Sequence, residues 1–250
     1  MASGSAAKGR VLLGGLERLE SLADFEQWLR LDRAWTGAFD FPFGLPRELV
    51  EQLGWPTQWA ELMRHYASLS RPEIRDTFAA FCNARPAGQK FAHRAADKPA
   101  GSSPSMKWVN PPVAYMLHAG VPRLLAAGVH LPGLHAGDRR RVGLEGYPGM
   151  LARELLGNRS YKSDDKAKHT PERLIARKDL ITALEHGQTR LGLRLKVSHA
   201  QRDALVDDAS GDSLDAVLCL LQAAWAAKQG APAYGLPPAM DALEGWIVTA

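Results

Sequence analysis

Two short apolar runs, each tipped by one acid, constrain this chain most. The first runs from Trp35 to Phe41 (WTGAFDF) and is stopped by Pro42, Gly44 and Pro46. It is too short for an ordinary helix and is punctuated like a buried strand. Asp40 falls near its C-terminal end. The second, RRRVGLEGY over 139–147, reads as a short strand with Glu145 near its end and Pro148 as its stop. In open α/β sheets, ligands bind beyond the carboxyl ends of the strands, so both acids are candidates for chemistry. Phe39, Phe41 and Phe43 surround Asp40 with apolar surface, where a carboxylate needs a partner or a metal. Glu145 has a structural alternative, an ion pair with Arg139, Arg140 or Arg141.

Helical periodicity fills the intervals. Ser21 reads as an N-cap with Asp24 three residues on, so 22–30 is a short helix. Pro46 opens a helix that stops at Gly54. Trp59, Leu62, Met63, Tyr66 and Leu69 form one apolar stripe, and Ile74, Phe78, Phe81 and Cys82 another. Residues 85–112 read as a long polar loop carrying Arg94 and Asp97. Val113 to Ala127 returns as a helix despite Gly120 and Pro122. Thr170 and Gly187 bracket another helix, and the last strong one runs from Gly211 to Lys228. A strand over 10–20 precedes them, and residues 1–9 read as a frayed, disordered end. The alternation predicts an α/β fold, with one domain over 10–250 and a helical insertion around 46–130.

Of the 250 residues, 46% are hydrophobic and 23% charged, enough to bury a sizeable core. The net charge of +4 only weakly suggests a polyanionic partner. Cys82 and Cys219 show no close metal spacing and read as buried, reduced thiols of a cytoplasmic protein. No apolar run is long enough to cross a membrane. Met1 to Gly9 has no apolar core of a secretory signal, which makes the sequon at Asn158 incidental.

The densest acid cluster lies in VDDASGDSLDAV, from Val206 to Val217. Asp208, Asp212 and Asp215, if all helical, share one face. The structural reading is a capped, solvated helix start. The functional reading is a metal face, because Mg²⁺ takes carboxylate oxygens and waters. Acids from two strand ends and one helix could together hold two such ions for phosphodiester hydrolysis.

Four segments carry a resemblance: FDFPFGLP (39–46), LEGYPG (144–149), GDSLDA (211–216) and LEGWI (243–247). Their order and spacing resemble domain of unknown function 429, a family of predicted metal-dependent nucleases. The resemblance implies a ribonuclease H-like fold, a central mixed five-stranded sheet with helices on both faces. It implies Mg²⁺ or Mn²⁺ as cofactor and nucleic acid as partner. By motif, Asp40, Glu145, Asp212 and Asp215 would be the catalytic acids, with Asp40, Glu145 and Asp215 on metal. Arg94 and Lys162 would face substrate, and Arg140 could join them on phosphates.

One departure stands out. Family members open with a strand whose Asp is the first metal ligand, and MASGSAAKGR shows no such strand. That strand is central in this fold, so its loss would leave backbone groups of its neighbours unpaired. The expectation is that the natural protein starts upstream of Met1 and that this shorter chain has low activity. A non-catalytic nucleic-acid- or protein-binding relative is the main alternative. An ATPase of the same superfamily is disfavoured, since no GxxxxGK(S/T) run is present. His118, His130 and His135 lack HExxH spacing, and no GxSxG elbow occurs.

Overall fold

A computed structural model describes residues 1–250 as a mixed α/β protein. Strands β1 (Ala2–Ala7) and β2 (Arg10–Leu16) form an antiparallel hairpin, joined in parallel by β6 (Arg194–Lys196). A second sheet holds β3 (Trp35–Phe39), β5 (Asp138–Glu145) and β4 (Val129–His130), all parallel, with β5 in the middle. The helices are α1 (Leu22–Leu29), α2 (Arg47–Gln52), α3 (Trp59–Ser68), α4 (Arg71–Asn83), α5 (Asp97–Ala100), α6 (Val113–Ala126), α7 (Pro148–Leu156), α8 (Pro171–His186), α9 (His199–Asp207) and α10 (Asp212–Gln229).

Each sheet has its own core. Helices α2–α4 and α6 bury Leu49, Leu62, Phe78 and Leu117 in one cluster that reaches Val129 of β4. Val11, Leu13 and Leu195 of the hairpin sheet pack under Leu180, Leu184, Leu214 and Leu218 of α8 and α10. Helix α10 contacts both β1 and β3 and so ties the two halves together.

Two expectations are corrected here. Residues 2–7 are not frayed: they pair with β2 from Ala2↔Leu16 to Ala7↔Arg10. Lys8 and Gly9 both have positive φ, 49° and 74°, the conformation of a tight hairpin turn whose twist matches the strands. Ala, Ser and Gly are weak strand formers, so backbone pairing and the turn, rather than side chains, make β1. Nor is there one five-stranded sheet: there are two three-stranded ones. The outer edge of β1 and the outer edge of β3 carry no strand partner. Both edges line one cleft of about 400 Å³, with Met1 to Gly4 on one wall and Trp35 to Phe39 on the other.

Several boundaries follow local chemistry. Ser21 and Asp24 make a reciprocal capping box at α1, as do Ser70 and Glu73 at α4. Gly187 closes α8 with φ 71°. The 85–112 segment is less open than a polar loop, since Arg94 and Asp97 are buried and α5 forms within it. Both cysteines are buried and free. No helix is long and apolar enough to cross a membrane.

Candidate active site

Asp40 follows the last residue of β3, and Glu145 ends β5, paired in register with Phe39. The two parallel strands thus deliver their acids to the same rim. Helix α10 brings Asp212 and Asp215 to that rim with its first turn. Gly211 precedes it at φ 75°, and a Cβ there would sit 2.6 Å from Cβ of Lys162. Only glycine lets the Tyr161–Lys162 segment close over the helix start.

That closure builds the centre of the site. The buried Asp215 carboxylate accepts hydrogen bonds from the Tyr161 hydroxyl and the Lys162 ammonium. Burial pushes the Asp215 carboxyl up, against the pull of Lys162 and Tyr161. Burial works against the Lys162 ammonium, but Asp215 outweighs it and raises its pKa.

Asp40 has no hydrogen-bonded protein partner for its carboxylate. The residue is solvent-exposed at the cleft mouth, yet protein crowds its carboxyl on most sides. Its pKa is pushed up to about 7, first by this crowding and then by the charge of Asp215. Asp40 and Lys162 also line a second pocket of about 200 Å³, with Ser102 and Tyr147 on its walls. The Cys219 thiol, one turn along α10 from Asp215, is raised well above its ordinary pKa by burial.

Glu145 behaves differently from expectation. Arg94 donates to both of its oxygens, at 2.6 and 2.7 Å, and the Phe43 amide donates to Oε2 at 2.8 Å. Arg94 spends its remaining donors on Asp97 at 2.9 and 3.2 Å and on the Glu244 carbonyl at 3.1 Å. Burial opposes the Arg94 charge, but Glu145 and Asp97 more than offset it. Glu145 is therefore a neutralised core acid rather than an open metal ligand, and Arg94 has no donor left for a phosphate. The cause is position: both side chains are walled in by the 43–47 and 243–247 turns, and buried charges must pair.

The remaining sequence candidates divide. Asp212 is exposed near the helix start, beside Asp215 on the cleft wall. Asp208 is not on the α10 face: it caps α9 and accepts from the Ser213 amide at 2.8 Å. Arg140 lies midway along β5, exposed and paired with Asp32 at 3.0 Å, away from the acids. No group of three or more His, Cys, Asp or Glu side chains is arranged to hold a metal.

Sequence reasoning missed three contributors. Tyr161, beside Lys162, carries no signal of its own in the sequence. Gln222 is fully buried: its Oε1 accepts from the Tyr147 amide at 3.0 Å and its Nε2 donates to the Val248 carbonyl at 3.1 Å. The signal was a lone amide inside the apolar stretch LLQAAWAA. Glu244 accepts from the amides of Arg47 and Ala95, both at 2.8 Å. Its motif was noticed, its role was not. No protein-family model, curated protein or solved structure matches the chain.

Proposed function

We propose that this protein is a metal-dependent nuclease, or a close relative of one, with a ribonuclease H-like arrangement of its two half-sheets. The observation that carries the reading is the meeting of Asp40, Asp215 and Lys162 at one cleft mouth. These residues come from a strand end, a helix start and a loop.

The residues fit one divalent ion better than two. Mg²⁺ is commonly bound through one or two carboxylates, with waters and substrate phosphate completing its shell. Asp40 offers a carboxylate with no competing donor, and burial and then Asp215 raise its pKa against the nearby Lys162. Asp215 would offer the second through Oδ2 once Lys162 releases it, with Oδ1 still held by Tyr161. Mg²⁺ or Mn²⁺ held there would supply a Lewis acid for a phosphoryl oxygen and an activated water. Glu145 does not complete a two-ion site, because Arg94 and Phe43 occupy its oxygens.

The chain's own groups do the rest. Lys162 sits between the acids and the second pocket, placed to meet a phosphate when it leaves Asp215. Tyr161 keeps Asp215 oriented by its hydroxyl. Asp212, exposed beside them, can hold a water at the cleft edge.

A second reading, a non-catalytic nucleic-acid-binding relative, is favoured by the neutralisation of Glu145. Hydrolysis of a labelled oligonucleotide separates the two. The nuclease reading expects cleavage that needs Mg²⁺ or Mn²⁺ and disappears in Asp40→Asn. Cleavage unchanged by that substitution would overturn it.

A further inference from the structure

We propose that the uncovered face of the β1–β2–β6 sheet is a docking surface for the phosphate backbone of a nucleic-acid duplex, distinct from the acid cleft. This extends the nuclease reading but stands on separate residues. Alternation sends Val11, Leu13 and Leu195 into the core and Arg10, Leu12, Arg194 and Lys196 to the other side, where all four are exposed. No helix covers that side. Lys8, in the hairpin turn, adds a further cation at its end.

The charge arrangement is costly without a ligand. Arg10 and Arg194 stand directly opposite in the parallel register, and Leu12 opposite Lys196. Like charges directly across a ladder destabilise it. None of Lys8, Arg10, Arg194 and Lys196 takes part in an ion pair with the protein's own acids. The Arg194 side chain donates only to the Glu185 backbone carbonyl, at 3.2 Å. The Glu185 carboxylate is held by Arg202 instead.

The surface also has the right shape. A shallow depression is lined by Ser5, Ala7, Lys8, Arg10, Leu12 and Lys196, with no acid among them. Small side chains on β1 let a backbone approach closely, and the Ser5 hydroxyl can donate to a phosphate oxygen. No aromatic ring lies on this face. Surfaces for single strands rely on stacked aromatics, so a basic, ring-free sheet suits a duplex read through its phosphates.

Strand β1 links the two surfaces. Its start, Ala2 to Gly4, lines the acid cleft, and Ser5 and Ala7, which follow directly, line the basic depression.

The test uses the full chain, a fluorescent 20-base-pair DNA duplex and excess EDTA, so that binding is read without cleavage. Salt-sensitive binding is expected. Arg10→Gln/Lys196→Gln should weaken it about tenfold or more and lower the slope of log affinity against log salt by about two. The far-ultraviolet circular dichroism of the variant should be unchanged. Equal affinity and slope in the two proteins would overturn the proposal, as would no binding by the unaltered chain at low salt. Tighter, variant-sensitive binding to phosphatidylserine vesicles than to the duplex would assign the surface to membranes and also overturn it. Because EDTA suppresses metal-dependent hydrolysis, the binding result bears on this surface alone, and failure of the nuclease reading would show separately as no cleavage with Mg²⁺ or Mn²⁺ present.

Discussion

Arg94 grips Glu145 through both terminal nitrogens, at 2.6 and 2.7 Å, with only 2% and 3% of the two residues exposed. The pair joins the 85–112 segment to the end of β5, beside Asp97 and the Glu244 carbonyl. Removing one partner leaves the other charge buried alone. Arg94→Met is therefore expected to cost about 3–5 kcal/mol, read as a lower urea midpoint at unchanged slope. A loss under about 1 kcal/mol would show that the segment opens to water.

Asp40 makes stability depend on pH in a defined direction. Its carboxyl moves from an ordinary 3.8 to about 7 in the folded protein. Between these values the unfolded chain has lost this proton and the folded chain keeps it. Asp40 thus lowers stability progressively as pH rises through that window, and the effect levels off above about 7. In Asp40→Asn this part of the slope should vanish, so the variant's melting temperature should exceed the unaltered protein's at pH 8 and approach it at pH 4. Parallel curves for the two proteins would refute the placement of Asp40 beside Asp215.

Lys162 should separate stability from activity. Its side chain is 43% exposed and its pair with Asp215 is open to water on one side. Such pairs add only about 0–1 kcal/mol, so Lys162→Met should melt close to the unaltered protein. A charged phosphate contact is worth about 1.5–3 kcal/mol, so the same variant should cleave an oligonucleotide about tenfold or more slowly. Full activity would remove Lys162 from the site.

Gly44 is a purely steric test of the wall behind Glu145. A Cβ there would lie 2.4 Å from the Glu244 carbonyl oxygen and 2.5 Å from that of Leu243. Backbone atoms cannot yield as a side-chain tip can. Gly44→Ala is expected to destabilise by about 1–3 kcal/mol, measured by thermal melting, with the charge network otherwise intact.

How much of this was written in the sequence depends on the range of the forces involved. Local signals located most of the elements they addressed. Ser21 with Asp24, the Trp59–Leu69 stripe and the Thr170–Gly187 bracket each fix a helix through neighbouring backbone groups. The acid-tipped runs became β3 and β5, side by side as the strand-end argument requires. Strand β1 was missed because its small side chains carry no pattern and its pairing rests on a turn. The roles of Glu145 and Arg94 were missed for a longer-range reason. An acid that will be neutralised and one that will stay open look alike until distant segments close. Here the basic partner comes from a segment that composition marks as loop, and the spacing of Arg94 and Asp97 was the only local hint. The one-sheet expectation failed because the edges of β1 and β3 do not meet.

The most direct measurement is titration of the full chain with Mn²⁺ at pH 8, followed by calorimetry. Asp40 is then ionised, and a cation can replace the missing counter-charge. The account predicts one saturable site, weakening as pH falls below about 7 and lost in Asp40→Asn. Binding of equal strength in that variant, or none in the unaltered chain at millimolar Mn²⁺, would contradict it.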